Sequence, residues 1–163
     1  MNQNKIIYLD NNATTRVDDA VLQAMLPYFT EEYANASSSH LFGLIISETI
    51  DTAQEQVANF IGAKPKEITF TSGATEAINL AIKGVSNQTK KHIVTVTTEH
   101  KAVLDSCAFM EKIGFDVTYV PVNTDGTINL TTLSRAITDE TLLVSVMFAN
   151  NETGVLHPIN EIS

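Results

Sequence analysis

A chain of 163 residues, 44% of them hydrophobic, is long enough for one domain that buries about 70% of the surface its unfolded form would expose. A formal net charge of -9 and a pI near 4.7 argue against nucleic acid or an anionic membrane surface as the main partner, because both recruit Lys and Arg; any anion site must be local. Cys107 is the only cysteine, which excludes an intrachain disulfide and a Cys-rich metal cage and suits a reducing cytosol. The start MNQNKIIYLDNN lacks the apolar stretch of a secretory signal, and no window approaches the roughly 20 apolar residues of a membrane span, so a soluble, cytoplasmic protein is expected.

No repeat, low-complexity tract or linker interrupts the chain. Val17, Val21, Met25 and Leu26 predict a first helix. The run ISETIDTAQEQVANFIG predicts a second, with Ile46, Ile50, Ala53, Val57 and Ile61 on a core-facing side and Gly62 at its end. Strand-like runs follow at EITFT, KHIVTVT, DVTYVPV and TLLVSVMFA. Between them lie helical patterns at GATEAINLAIKG and HKAVLDSCAFMEKIG and a weaker one at LTTLSRAI. Strands alternating with helices predict an α/β fold, a mostly parallel sheet flanked by helices.

In such sheets ligands sit beyond the carboxyl ends of the strands. After EITFT come Ser72, Gly73, Ala74 and Thr75, small residues whose backbone N–H groups can approach an anion where a helix begins. This is a phosphate cradle without a lysine; it carries neither the GK[ST] of a P-loop nor the G-x-G-x-x-G dinucleotide pattern. The plain alternative is that Ser72 or Thr75 caps the helix and Glu76 favours its first turn. After KHIVTVT comes His100, which reads as a helix cap or as a planar ring that stacks on a flat ligand. After TLLVSVMFA, Asn150 and Asn151 offer amide groups, with Gly154 allowing a turn. Three strand ends with such groups could face one crevice.

The segments YLDNNATT, NASSSHLFG, TFTSGATEAINLAIKG, TTEHKAVLDSC and NNETGVLHPI resemble, over nearly the whole chain, the N-terminal portion of the NifS-like cysteine desulfurases of the class V aminotransferase superfamily. The resemblance implies a partial fold-type I transferase large domain over 1–163, truncated before its last strands, with pyridoxal 5'-phosphate as cofactor. It assigns Gly73, Ala74 and Thr75 to the cofactor phosphate, His100 to stacking on the pyridine ring and shuttling protons, Asn151 to the cofactor or substrate, and Asn35 to the substrate side. It implies removal of sulfur from L-cysteine, giving alanine and an enzyme persulfide for iron-sulfur cluster or thio-modification pathways, by a homodimer or a chain joined to a complementing C-terminal half, with a sulfur-accepting scaffold protein as a further partner.

Such enzymes also need a Schiff-base lysine, an aspartate at the pyridinium nitrogen and a nucleophilic cysteine, which the resemblance places after Ser163. No lysine here stands in: Lys64 and Lys66 flank Pro65, Lys90 and Lys91 precede a strand, and Lys101 follows His100. The isolated chain is therefore expected to be inactive. Cys107 reads as a buried helix thiol. The resemblance departs at Ala36, where the family carries proline, and at Ile45 and Ile46, where smaller residues are usual. Alternatives are a non-catalytic fragment that pairs with a complete homologue, or a related class V aminotransferase or selenocysteine lyase. SSSH lacks a nucleophile elbow, and His40, His100 and His157 show no metal-ligand spacing, so no metal is expected.

Overall fold

The computed structural model describes residues 6–86 and 88–163; the opening MNQNK of the reading against a secretory leader lies outside them. The chain divides into two compact units, residues 1–70 and 71–163.

The first unit is helical. Asp18 caps α1 (Asp19–Met25) by accepting the N–H groups of Ala20 and Val21, and Pro27 occupies the first position of α2 (Pro27–Thr30), where a missing N–H costs nothing. The long helix α3 (Leu41–Ile61) begins at His40, whose Nδ1 accepts the Gly43 N–H at 3.2 Å. Gly62, at φ 73°, ends it in the left-handed conformation that glycine adopts without strain. The apolar side predicted for this helix is only partly buried. Ile46 is buried, as are Gly43 and Ala58, but Ile50, Val57 and Ile61 are exposed and Ala53 lies between.

EITFT does not form a strand. Residues 65–67 make a single 3-10 turn, and the Ile68 carbonyl accepts the Gln54 Nε2 of α3 at 3.1 Å instead of pairing with a strand. Strand propensity expresses fit to a pleated surface, and these residues take a helix side chain as their partner instead.

The second unit holds α4 (Ala74–Gly84), β1 (His92–Val96), α5 (Lys101–Lys112), β2 (Asp116–Val120), α6 (Leu130–Ala136), β3 (Thr141–Ser145) and α7 (Ile159–Ile162). The three strands are parallel in the order β2-β1-β3, as expected for an α/β sheet. Central β1 is buried along its whole length, which suits a near-continuous apolar run. Its alternating side chains separate two cores. Ile93 packs with Ile82 of α4, Val103, Cys107 and Met110 of α5, and Phe115. Val94 and Val96 pack with Val120, Ile128 and Leu133 of α6. At the start of the sheet the His92 ring bridges Thr141 Oγ1 at 2.8 Å and Thr118 Oγ1 at 2.9 Å, joining all three strands. β2 stops before Pro121, which has no N–H to donate. Among the described residues no helix is long and apolar enough to cross a membrane, and no cluster of His, Cys, Asp or Glu could hold a metal.

Candidate functional site

Parallel strands bring their carboxyl ends to one side, so the residues leaving β1 and β3 meet there. Ala74 and Ile78 of α4, Glu99 and His100 beyond β1, Val103 of α5, and Ser145, Val146 and Met147 at the end of β3 line one hollow of about 340 Å³. Its walls are mostly apolar, with Glu99 and His100 supplying ionisable groups.

The turn into α4 is built by Glu76. Its Oε2 accepts the Ser72 hydroxyl and the Ser72 N–H, each at 2.7 Å, and these bonds, the hydroxyl first, hold the Glu76 carboxyl below the usual carboxylate range. Neither Ser72 nor Thr75 caps the helix: Gly73 is the N-cap and no side chain bonds it, so Ser72 and Glu76 tie the turn to each other, while the Ala74, Thr75 and Glu76 N–H groups have no intrahelical acceptor. Gly73 lies at φ 163° and ψ 179°, extended backbone open to any residue, and an added Cβ would meet nothing within 4 Å. Gly73 therefore takes no conformation closed to other residues; the small residues leave the amides accessible. Ala74 lines the hollow, and the Thr75 side chain is exposed with its hydroxyl unbonded among the described residues.

His100 is the N-cap of α5, its Nδ1 accepting the Ala102 N–H at 3.1 Å. An accepting Nδ1 places the proton of the neutral ring on Nε2. Capping and ligand contact are compatible, because they use different parts of the ring. The neighbouring Lys101 is engaged with Asp105 at 2.7 Å on the surface.

Of the two asparagines, Asn150 is the structural one. Its Nδ2 donates to the Thr98 carbonyl at 2.9 Å, and its Oδ1 accepts the N–H groups of Glu152 and Thr153 at 2.9 Å each, which folds the 150–154 turn. Asn151 is exposed, donates to Glu152 Oε1 at 3.2 Å and does not line the hollow. Asn35 belongs to the first unit, where its Oδ1 accepts the Ser37 N–H at 2.9 Å within its own loop. The structure therefore brings Ala74 and His100 together, with Gly73 and Thr75 beside Ala74. The residue that motif reading missed is Glu99, 8% exposed, whose Oε1 accepts the Met147 N–H at 2.5 Å. Its only sequence signal is a carboxylate three residues beyond β1, between Thr98 and His100.

The donor set suits a phosphate monoester attached to a flat ring. Unpaired amides at a helix start favour the anion, and an imidazole beside apolar walls favours the ring. No lysine lines the hollow among the described residues.

The family model described as aminotransferase class-V matches residues 7–163. A cysteine desulfurase IscS of Anaeromyxobacter sp. (strain Fw109-5) is 54% identical over 160 residues, covering 96% of this chain and 40% of the relative. The cysteine desulfurase IscS of Rickettsia felis is 52% identical over 165 residues, covering 99% of this chain and 40% of the relative. Among solved structures, one described as a NifS-like protein superposes with a TM-score of 0.92 at 43% identity, covering 96% of this chain and 44% of its own. Another, described as SspA in complex with cysteine, gives 0.90 at 40% identity, covering 95% and 46%. The chain spans about 40% of the length of the curated relatives it matches.

Proposed function

The chain belongs to the aminotransferase class-V family, and from that membership we propose that its 163 residues are the N-terminal part of a pyridoxal-phosphate-dependent cysteine desulfurase domain. The observation that carries this reading is that the start of α4 and the His100 cap of α5 border the same hollow at the carboxyl end of the sheet. The overall reaction proposed is that of L-cysteine with an enzyme thiol, giving alanine and an enzyme persulfide. Pyridoxal phosphate, when bound, supplies the electron sink for this chemistry.

This chain's share is binding and orientation. The amides of Gly73, Ala74 and Thr75, with the Thr75 hydroxyl, hold the phosphate at the positive end of α4. The His100 ring would hold the flat ring of the cofactor, and its Nε2 would hold or pass a proton while Nδ1 stays with Ala102. Val103, Val146 and Ile78 keep water from the ring. Asn151 contacts the cofactor or substrate once the remaining parts of the enzyme are in place. The covalent link to the cofactor and the nucleophilic thiol come from polypeptide beyond these residues or from a complementing chain, in a homodimer that passes sulfur to an acceptor protein.

Adding pyridoxal phosphate to the purified chain tests the binding reading. Shifts of the Gly73, Ala74, Thr75 and His100 resonances are expected, without a lysine-linked visible band reducible by borohydride; an unperturbed α4 start would refute it. Sulfide release from L-cysteine is expected only when a polypeptide carrying the rest of the domain is supplied.

A further inference from the structure

Glu99 is a carboxylate that forms no salt bridge among the described residues. It is buried, and the ion pairs among the described residues are Arg16 with Asp19 and Lys101 with Asp105. Its support comes from backbone: the Met147 N–H lies 2.5 Å from Oε1, and the His100 N–H also favours the charged form. Burial outweighs these donors and the His100 charge, so the Glu99 carboxyl sits above the ordinary carboxylate range.

A purely structural tie does not call for this charge. Asn150 already links the same two segments through the Thr98 carbonyl, and a glutamine could accept the Met147 N–H equally well. A desolvated carboxylate in the wall of a cleft is instead the kind of group that tunes a site. We propose that Glu99 is a positioning residue: by accepting the Met147 N–H it locks the exit of β1, which carries His100, to the exit of β3, and it sets a negative charge that an anion entering the hollow must meet. Anion uptake at α4 and protonation of Glu99 are then linked, each favouring the other. This linkage rests on the anion-cradle reading of α4; the lock does not.

The titratable groups that act on Glu99 are His100 on its own turn and Cys107 on α5. The end of β3 presents the Met147 amide, and α4 presents Ala74 and Ile78, which are uncharged.

Sulfate is the probe, since its charge does not change over the range of interest. Titrated into the full chain at about pH 8, it is expected to bind Glu99→Gln about fivefold or more tightly than the unsubstituted chain. The two affinities should draw together as pH falls and Glu99 takes up a proton in the latter. His100 is common to both, so its contribution to sulfate binding cancels in the comparison. The Met147 amide proton should titrate with Glu99, stop titrating in Glu99→Gln while staying protected from exchange, and lose protection in Glu99→Ala. Equal sulfate affinity of the Gln variant and the unsubstituted chain at the higher pH would overturn the charge role, and a Met147 amide blind to all three states would overturn the lock. Failure of sulfate to bind either protein would refute the cradle and the linkage together, while the Met147 amide still decides the lock.

Discussion

His100, the cap of α5, and Cys107, two turns further along it, illustrate how burial divides reactive residue types into accessible and inert ones. Cys107 is fully buried; desolvation first, then the charges of Glu111 and Glu99, push its thiol up to about 11. Because the folded chain holds this proton more tightly than the unfolded chain, stability falls as pH rises from the ordinary 9.0 toward about 11. At pH 8 only about one thiol in a thousand is then thiolate, so labelling by a thiol reagent should be at least about 100-fold slower than for the urea-unfolded chain. Labelling as fast as in urea would show an accessible nucleophile. His100, in contrast, is exposed and spends one ring nitrogen on a cap, which fixes the ring without consuming the other nitrogen. The position of His100 was legible from the sequence because strand and helix patterns meet there. The division of labour between Asn150 and Asn151 was not, since adjacent amides look alike until the turn decides which one points inward.

At the scale of elements, EITFT and KHIVTVT carry similar propensity and meet different fates. KHIVTVT finds β2 and β3 on either side and becomes the buried centre of the sheet, while EITFT bonds to α3. The entrance to α3 depends on a close approach that no periodicity reveals. A Cβ at Gly43 would lie 2.4 Å from the Ser38 carbonyl oxygen and 2.9 Å from that of Asn35, both backbone atoms that cannot swing aside. Gly43→Ala should therefore cost about 1–3 kcal/mol, read from the shift of the denaturant midpoint followed by helical circular dichroism. An unchanged midpoint would mean that the 35–43 loop is not packed as described. Asn35 Oδ1 and its carbonyl accept the N–H groups of Ser37 and Ser38 and hold the loop around Ala36 by hydrogen bonds.

At the scale of the whole molecule, large apolar side chains remain in water. Phe60 is 91% exposed, Phe148 64% and Leu156 63%, and Leu41, Leu44 and Ile61 of α3 are exposed as well. Apolar surface of this kind is ordinarily covered in a working assembly. With the chain spanning about 40% of its relatives' length, it is expected to associate on its own. Sedimentation over a wide dilution range should show a mass that grows with concentration. A monodisperse monomer throughout would contradict this, and a complementing polypeptide that restores a single species would support the proposed assembly.

The sequence by itself determined the class of fold. Strand and helix periods recur in alternation, and parallel connections oblige the exits of β1 and β3 to converge, so His100 was marked by local pattern, whereas Ala74 and Thr75 were reached from EITFT, which forms no strand. Only the tertiary structure decided which strand-like run pairs, which asparagine builds the turn, and that Glu99 lies buried against the Met147 amide. Those outcomes depend on groups about 48 residues apart in the chain meeting in space, and no short-range pattern encodes the desolvation or the hydrogen bond that such a meeting creates.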